Sequence, residues 1–180
     1  MILPGSCAIY PSPILQVKKD TSAHPIAQQL SGEKYSMKEV DDGNHTRWQL
    51  TAARGTFMPN GRDVKLEDVV VEYFDPKTKE LKMRLKAPDG SANQESKDVV
   101  LSSSNGRKVT AEGGGGKSKF VCQKVELSKK NQFVATGGVI IDWPGVAKVS
   151  GNSASGSTNM AAGPKDLKVV GNTHAEIAVR

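Results

Sequence analysis

Short runs of alternating apolar and polar residues recur along this chain, and one six-position unit recurs with them. The unit reads apolar, any, small, any, any, small. It appears as Leu50, Ala52 and Gly55, then Leu85, Ala87 and Gly90, then Val109, Ala111 and Gly114, then Phe133, Ala135 and Gly138. Val149, Gly151 and Ala154 form a degenerate fifth copy. A second, more apolar unit follows most copies: Val69 to Val71, Val99 to Leu101, Val125 to Leu127 and Val139 to Ile141. Self-similarity at this scale marks a repetitive architecture, and the uneven spacing places insertions in the turns.

The alternation has period two, which predicts strands with one buried face. Arg47 to Ala52 alternates strictly, with Trp48, Leu50 and Ala52 on one side. Leu81, Met83, Leu85 and Ala87 alternate with Lys82, Arg84 and Lys86, as in an antiparallel sheet wetted on one face. Val64 and Leu66 open a strand that Val69, Val71 and Tyr73 continue in the opposite phase. One extra residue near Glu67 and Asp68 reconciles the phases and predicts a β-bulge there. Turn signals at Met58-Pro59-Asn60-Gly61, Asp75-Pro76, Pro88-Asp89-Gly90, Asn105-Gly106 and Pro144-Gly145 separate the runs. Short strands at close spacing, with no intervening helical pattern, predict an all-β sandwich, barrel or roll. Period two also places Leu50, Val71, Leu81, Met83, Leu85, Val139 and Ile141 in one interior. With so few aromatics, that interior is expected to be incompletely filled.

Order is expected from Met37, giving one domain over 37–180 preceded by a poorly ordered arm over 1–36. Met1 to Leu15 carries three prolines and is too short to span a bilayer, and it lacks the charged start of a signal peptide. Edge strands are expected near Met37 to Thr51 and toward Leu167 to Val179.

Composition narrows the function. The chain has 180 residues, Gly 18 and Pro 9, with aromatics at 5%, which suits many turns. Its formal charge of +6 invites a polyanion such as nucleic acid, an anionic membrane or an acidic glycolipid. Lysines that blunt sheet edges explain the same excess. Aromatics are too sparse for a stacking platform on single-stranded nucleic acid. Cys7 and Cys122 read as unpaired thiols, and His24, His45 and His174 lack metal-ligand spacing. Ala111-Glu112-Gly113-Gly114-Gly115-Gly116-Lys117-Ser118 meets a relaxed phosphate-loop pattern, with Lys117 and Ser118 as phosphate and magnesium contacts. The β-branched run after it supports a glycine hairpin instead. No catalytic constellation stands out, and no cofactor is expected.

The ordered series Trp48-x-Leu50-x-Ala52, Val64-x-Leu66 with Val69-x-Val71, Leu85-x-Ala87, and Gly137-Gly138-Val139 with Val149-x-Gly151 resembles the LptC family of the lipopolysaccharide export system. That family is related to the periplasmic LptA/OstA-like domain, and the resemblance covers roughly Met37 to Val170. It implies an open, twisted antiparallel β-jellyroll that binds lipopolysaccharide acyl chains in an apolar groove. Trp48, Leu50, Val69, Val71, Tyr73, Leu81, Met83, Leu85, Val139, Ile141 and Trp143 are the expected groove residues. The implied partners are lipopolysaccharide, neighbouring jellyroll bridge proteins and an inner-membrane ATP-binding-cassette transporter, with edge-to-edge oligomers and no nucleic acid. Inner-membrane members carry an N-terminal transmembrane helix. This implies either anchoring through a segment ahead of this chain or a soluble periplasmic member. The alternatives are a structural β-repeat module without ligand and a nucleotide-binding protein using Gly113 to Ser118.

Overall fold

The computed structural model describes residues 31–75, 77–113, 116, 118–128, 132–158 and 167–178. Twelve strands follow one another without a helix among the described residues: β1 (Ser31–Val40), β2 (Thr46–Phe57), β3 (Asp63–Phe74), β4 (Leu81–Asn93), β5 (Val99–Ser102), β6 (Val109–Gly113), β7 (Ser118–Cys122), β8 (Lys124–Ser128), β9 (Gln132–Trp143), β10 (Ala147–Ser157), β11 (Lys168–Val170) and β12 (His174–Ile177). They form one antiparallel sheet, folded as a β-jellyroll. Most of the expected 1–36 arm lies outside the described residues, and residues 31–36 belong to β1.

The sheet is folded along a crease that crosses the strands, which produces two leaves. In leaf one β4 pairs with β6, and β7 with β9. In leaf two β4 pairs with β5, and β8 with β9. β2, β3, β4, β9 and β10 run through both leaves. β12 lies on β10 in leaf one and β11 lies on β10 in leaf two.

The phase reversal in β3 is real, but it is not a bulge. Leu66 and Val69 are both buried, while Glu67 and Asp68 between them are both exposed. A bulge sets two residues against one and shifts the register. Here the pairing runs from Ala52↔Val69 to Arg54↔Glu67, and from Val69↔Ala87 to Glu67↔Asp89, without a slip. The neighbours carry the extra residue in step, because β2 also turns two consecutive residues outward, Ala53 and Arg54. Asp68 takes φ 50°, and Lys34, the residue on β1 between the pairs Glu33↔Arg54 and Tyr35↔Ala52, takes φ 60°.

This geometry decodes the six-position unit. In β2, Leu50 and Ala52 point into leaf one, two residues face outward over the crease, and Gly55 is buried in leaf two. β10 repeats the arrangement with Gly151, Asn152, Ser153 and Ala154. The unit in β4 crosses at the same line, through Pro88 and Asp89. Small residues sit on either side of the crease because the leaves converge there. A Cβ on Gly90 would lie 2.9 Å from the Val100 carbonyl oxygen and 3.3 Å from Val69 Cγ2. The copy at Val109 and Ala111 does not cross the crease, since β6 lies wholly in leaf one.

Candidate functional site

Two inward rows of side chains span the sheet from edge to edge. In leaf one the cross-strand partners run Met37, Leu50, Val71, Leu85, Ala111, Phe120, Ile141 and Val149. In leaf two they run Gly55, Leu66, Gly90, Leu101, Val125, Ala135, Ala154 and Val169. All of these but Gly55, Gly90 and Val149 belong to a single apolar core or pack against it. The leaves meet across it: Phe120 of leaf one and Phe133 of leaf two form an edge-to-face pair with centroids 5.9 Å apart. Such pairs contribute about 0.5–1.5 kcal/mol beyond their buried area.

Of the expected groove residues, Trp48, Leu50, Val69, Val71, Met83, Leu85, Val139 and Ile141 are buried in this core, and Tyr73 and Trp143 pack against it partly buried. Leu81 departs from the expectation and is 38% exposed. It stands at the start of β4, beyond the last regular pair Tyr73↔Met83, where the register shifts. Its partner there is Phe74, itself only partly buried, so alternation alone does not bury it.

The rim of leaf one is more polar than the core. The Trp48 indole N–H donates to Glu39 Oε2 at 2.7 Å, and Arg47 Nη1 lies 3.5 Å from Glu39 Oε1. Tyr73 stands beside Trp48 in register. Burial first, and the Glu39 charge second, push its hydroxyl well above the ordinary tyrosine range. Trp48 and Tyr73 therefore present apolar bodies to the core beneath a polar rim.

Where Phe120 and Phe133 meet, the interior leaves little spare room. The gap between Met83, Leu85, Ala111 and Phe120 on one leaf and Val125, Leu127 and Phe133 on the other is about 10 Å³. That volume holds roughly one water molecule. There the leaves approach until the two rings touch.

The family model for lipopolysaccharide assembly, LptC-related, matches residues 5–142. The chain belongs to the LptC family. Lipopolysaccharide transport is thus the process in which it takes part. No curated protein matches it.

The outer face of this LptC-family chain is a ladder of charges. Along leaf one the partners run Lys38, Gln49, Glu72, Arg84, Glu112, Lys119, Asp142, Lys148 and Glu176. Arg84 Nη2 lies 2.6 Å from Glu72 Oε1, and the Gln49 amide donates to Glu72 Oε2 at 2.6 Å. Lys82 Nζ lies 3.6 Å from both Asp75 and Glu80. Lys82 and Arg84 thus already have carboxylate partners on the outer face.

The strands on either side of the glycine loop of the LptC-family chain pair as a hairpin. β6 and β7 pair antiparallel, and Gly113↔Ser118 is their last pair. A phosphate loop must open a helix whose N-terminal amides hold the anion. Ser118 opens a strand instead, which removes the nucleotide reading. Cys122 is a free, buried thiol that burial pushes up to about 12, and Cys7 lies outside the described residues. Among the described residues no helix is long and apolar enough to cross a membrane.

Phe120, Ala111, Val125, Leu127 and Phe133 line the gap but were not among the expected groove residues. Their signal was present as Phe120 with Cys122, and Val125 with Leu127, at period two. The strands that carry them are five residues long or interrupted, so alternation there is weak.

Proposed function

We propose that this LptC-family chain binds lipopolysaccharide acyl chains between its two leaves and passes them along a periplasmic bridge of jellyroll domains. The lipid arrives from an inner-membrane ATP-binding-cassette transporter, and the chain itself is not an enzyme. The observation that carries this reading is the pair of inward rows, which run from Met37 of β1 to Val149 of β10 in leaf one and from Gly55 of β2 to Val169 of β11 in leaf two. An acyl chain lying along such rows leaves water over its whole length, and each CH₂ contributes about 0.8 kcal/mol. In this reading the leaves part at the Phe120 and Phe133 contact, where the gap is about 10 Å³, to admit it. The same close contact favours a second reading, a structural β-module with no ligand.

Photo-crosslinking side chains separate the two readings. Placed at Met83 or Val139, which face the core, they should capture lipopolysaccharide; placed at Arg84, on the outer face, they should not. Equal labelling at 83 and 84 overturns the groove. No labelling by a folded protein in the presence of its transporter leaves the structural module.

A further inference from the structure

β4 changes neighbours at the crease. Its pairing with β6 ends at Lys86↔Thr110, and its pairing with β5 begins at Asp89↔Ser102. Among the described residues Ala87 and Pro88 face no strand on that side, and Pro88 has no N–H to offer one. The link from β5 to β6, residues 103–108, runs across this break. Asn105 and Gly106, at φ 51° and 75°, form a tight turn closed by two backbone hydrogen bonds between Ser104 and Arg107. From the end of that turn Arg107 Nη1 reaches Asp68 Oδ1 on β3, at 2.7 Å. Beside this contact is a pocket of about 250 Å³, lined by Val70 and Pro88 and by Lys86, Arg107 and Lys108.

The lining carries surplus positive charge, because Asp68 is the one carboxylate among three cations. On the outer face of β4, Lys82 and Arg84 each have carboxylate partners. Lys86, next on that face, lies between Val70 and Thr110. Neither it nor Lys108 forms an ion pair among the described residues. The ion pair that is present is exposed, with the Arg107 and Asp68 side chains at 60% and 59%, and such pairs contribute little. An arriving anion therefore displaces the Asp68 carboxylate easily and meets a guanidinium already held in place by the turn.

We infer that this pocket binds a phosphate monoester, free or as a lipid headgroup, on the face of the sheet opposite the groove. Three cations less one carboxylate match the charge of about −1.5 to −2 that a phosphate monoester carries at neutral pH. A diester, with a single charge, matches it less well. Arg107 offers the planar fork that suits two phosphate oxygens, and Lys86 and Lys108 add point charges. Val70 and Pro88 take the carbons next to the ester oxygen. The site is separate from the groove, since Lys86 points outward while Leu85 and Ala87 on either side of it are buried in the core.

Calorimetric titration of the full chain with glycerol 2-phosphate tests this, with dimethyl phosphate as the diester. The monoester should bind more tightly than the diester. Lys86→Gln and Arg107→Gln should each weaken its binding about three- to ten-fold, as a charge-assisted contact is lost. Asp68→Asn, which removes the competing carboxylate, should strengthen it. Lys148→Gln, which removes the same charge from β10, should leave it unchanged. Flotation with phosphatidylcholine vesicles, with and without phosphatidic acid, separates the two sources. Vesicle binding that glycerol 2-phosphate competes away and Lys86→Gln removes assigns the pocket to a headgroup. Soluble binding alone assigns it to a free monoester, and either result supports the pocket. No binding of glycerol 2-phosphate, or equal binding of the diester, overturns it. Equal weakening by Lys148→Gln and Lys86→Gln also overturns it, by showing general surface charge.

Discussion

The sheet crosses its crease in two ways, and the contrast shows what the bend requires. At β1 to β4 the strands add their extra residue together, the register holds, and the left-handed positions are Lys34 and Asp68. At β9 and β10 the strands disagree. β9 places Gly137 and Gly138 between Thr136 and Val139, where β10 has only Asn152 between Ser153 and Gly151, and the register slips. That is the true bulge, and both of its glycines are left-handed, at φ 83° and 76°. A bend shared by neighbours tolerates ordinary side chains on its convex side. The bend forced on one strand puts two successive residues at positive φ, which favours glycine, whereas each strand of the shared bend puts at most one there. The space is also taken: a Cβ on Gly137 would lie 2.5 Å from Gln123 Cβ. Gln123, between β7 and β8, ties the crease together by donating its N–H to the Thr136 carbonyl and accepting from the Ser103 N–H.

The largest effect is expected where the leaves converge. Gly90→Leu inserts a side chain against the Val100 carbonyl and should destabilise by about 3 kcal/mol. A thermal melt reads this, at roughly 2–4 °C per kcal/mol for a domain of this size. An unchanged melting temperature would mean that the crease is slack. Gly137→Val should come next, at about 2 kcal/mol, from positive φ and the clash with Gln123. Its counterpart on the shared bend, Asp68→Gly, should change stability by less than about 1 kcal/mol. Relief of the left-handed backbone offsets the loss of an exposed ion pair to Arg107. If the two substitutions cost the same, the distinction between the bends is wrong.

The smallest effect concerns acid. Hydrogen bonding from Gln49 first, and then Arg84, hold the Glu72 carboxyl below its ordinary value. A depressed carboxylate contributes stability that is present above its unfolded pKa and lost as pH falls through the folded one. The contribution should therefore fade below about pH 4.5, the ordinary glutamate range. Amide exchange at mild acid should rise in β2 to β4 before β9 and β10. Arg84→Met should flatten that difference.

Much of the fold was legible from alternation. Period two placed Leu50, Val71, Met83, Leu85, Val139 and Ile141 correctly in one core, because each lies in a long strand with neighbours on both sides. The doublet Glu67-Asp68 announced a change of phase, but one strand cannot say whether its partners change with it. A bulge and a shared bend look identical until the register is known. The signature of the real bulge, Gly137-Gly138, was read as part of a repeat. Leu81 misled because alternation says nothing about where a strand ends. The close approach at Phe120 and Phe133 was illegible for a different reason: small residues permit either a cavity or a close approach, and only the distance between leaves decides. The nominal edge Met37 to Thr51 joined two strands, of which β1 is the edge and β2 is covered on both sides.

The central claim is that lipid enters only when the leaves part. It is tested most directly by bridging them. Phe120→Cys with Phe133→Cys, joined by a short cleavable thiol linker, fixes the leaves at the edge-to-face contact. With a photoprobe at Met83, the account predicts that the bridged protein captures no lipopolysaccharide and that cleaving the linker restores capture. Equal capture by the bridged and cleaved forms would contradict it.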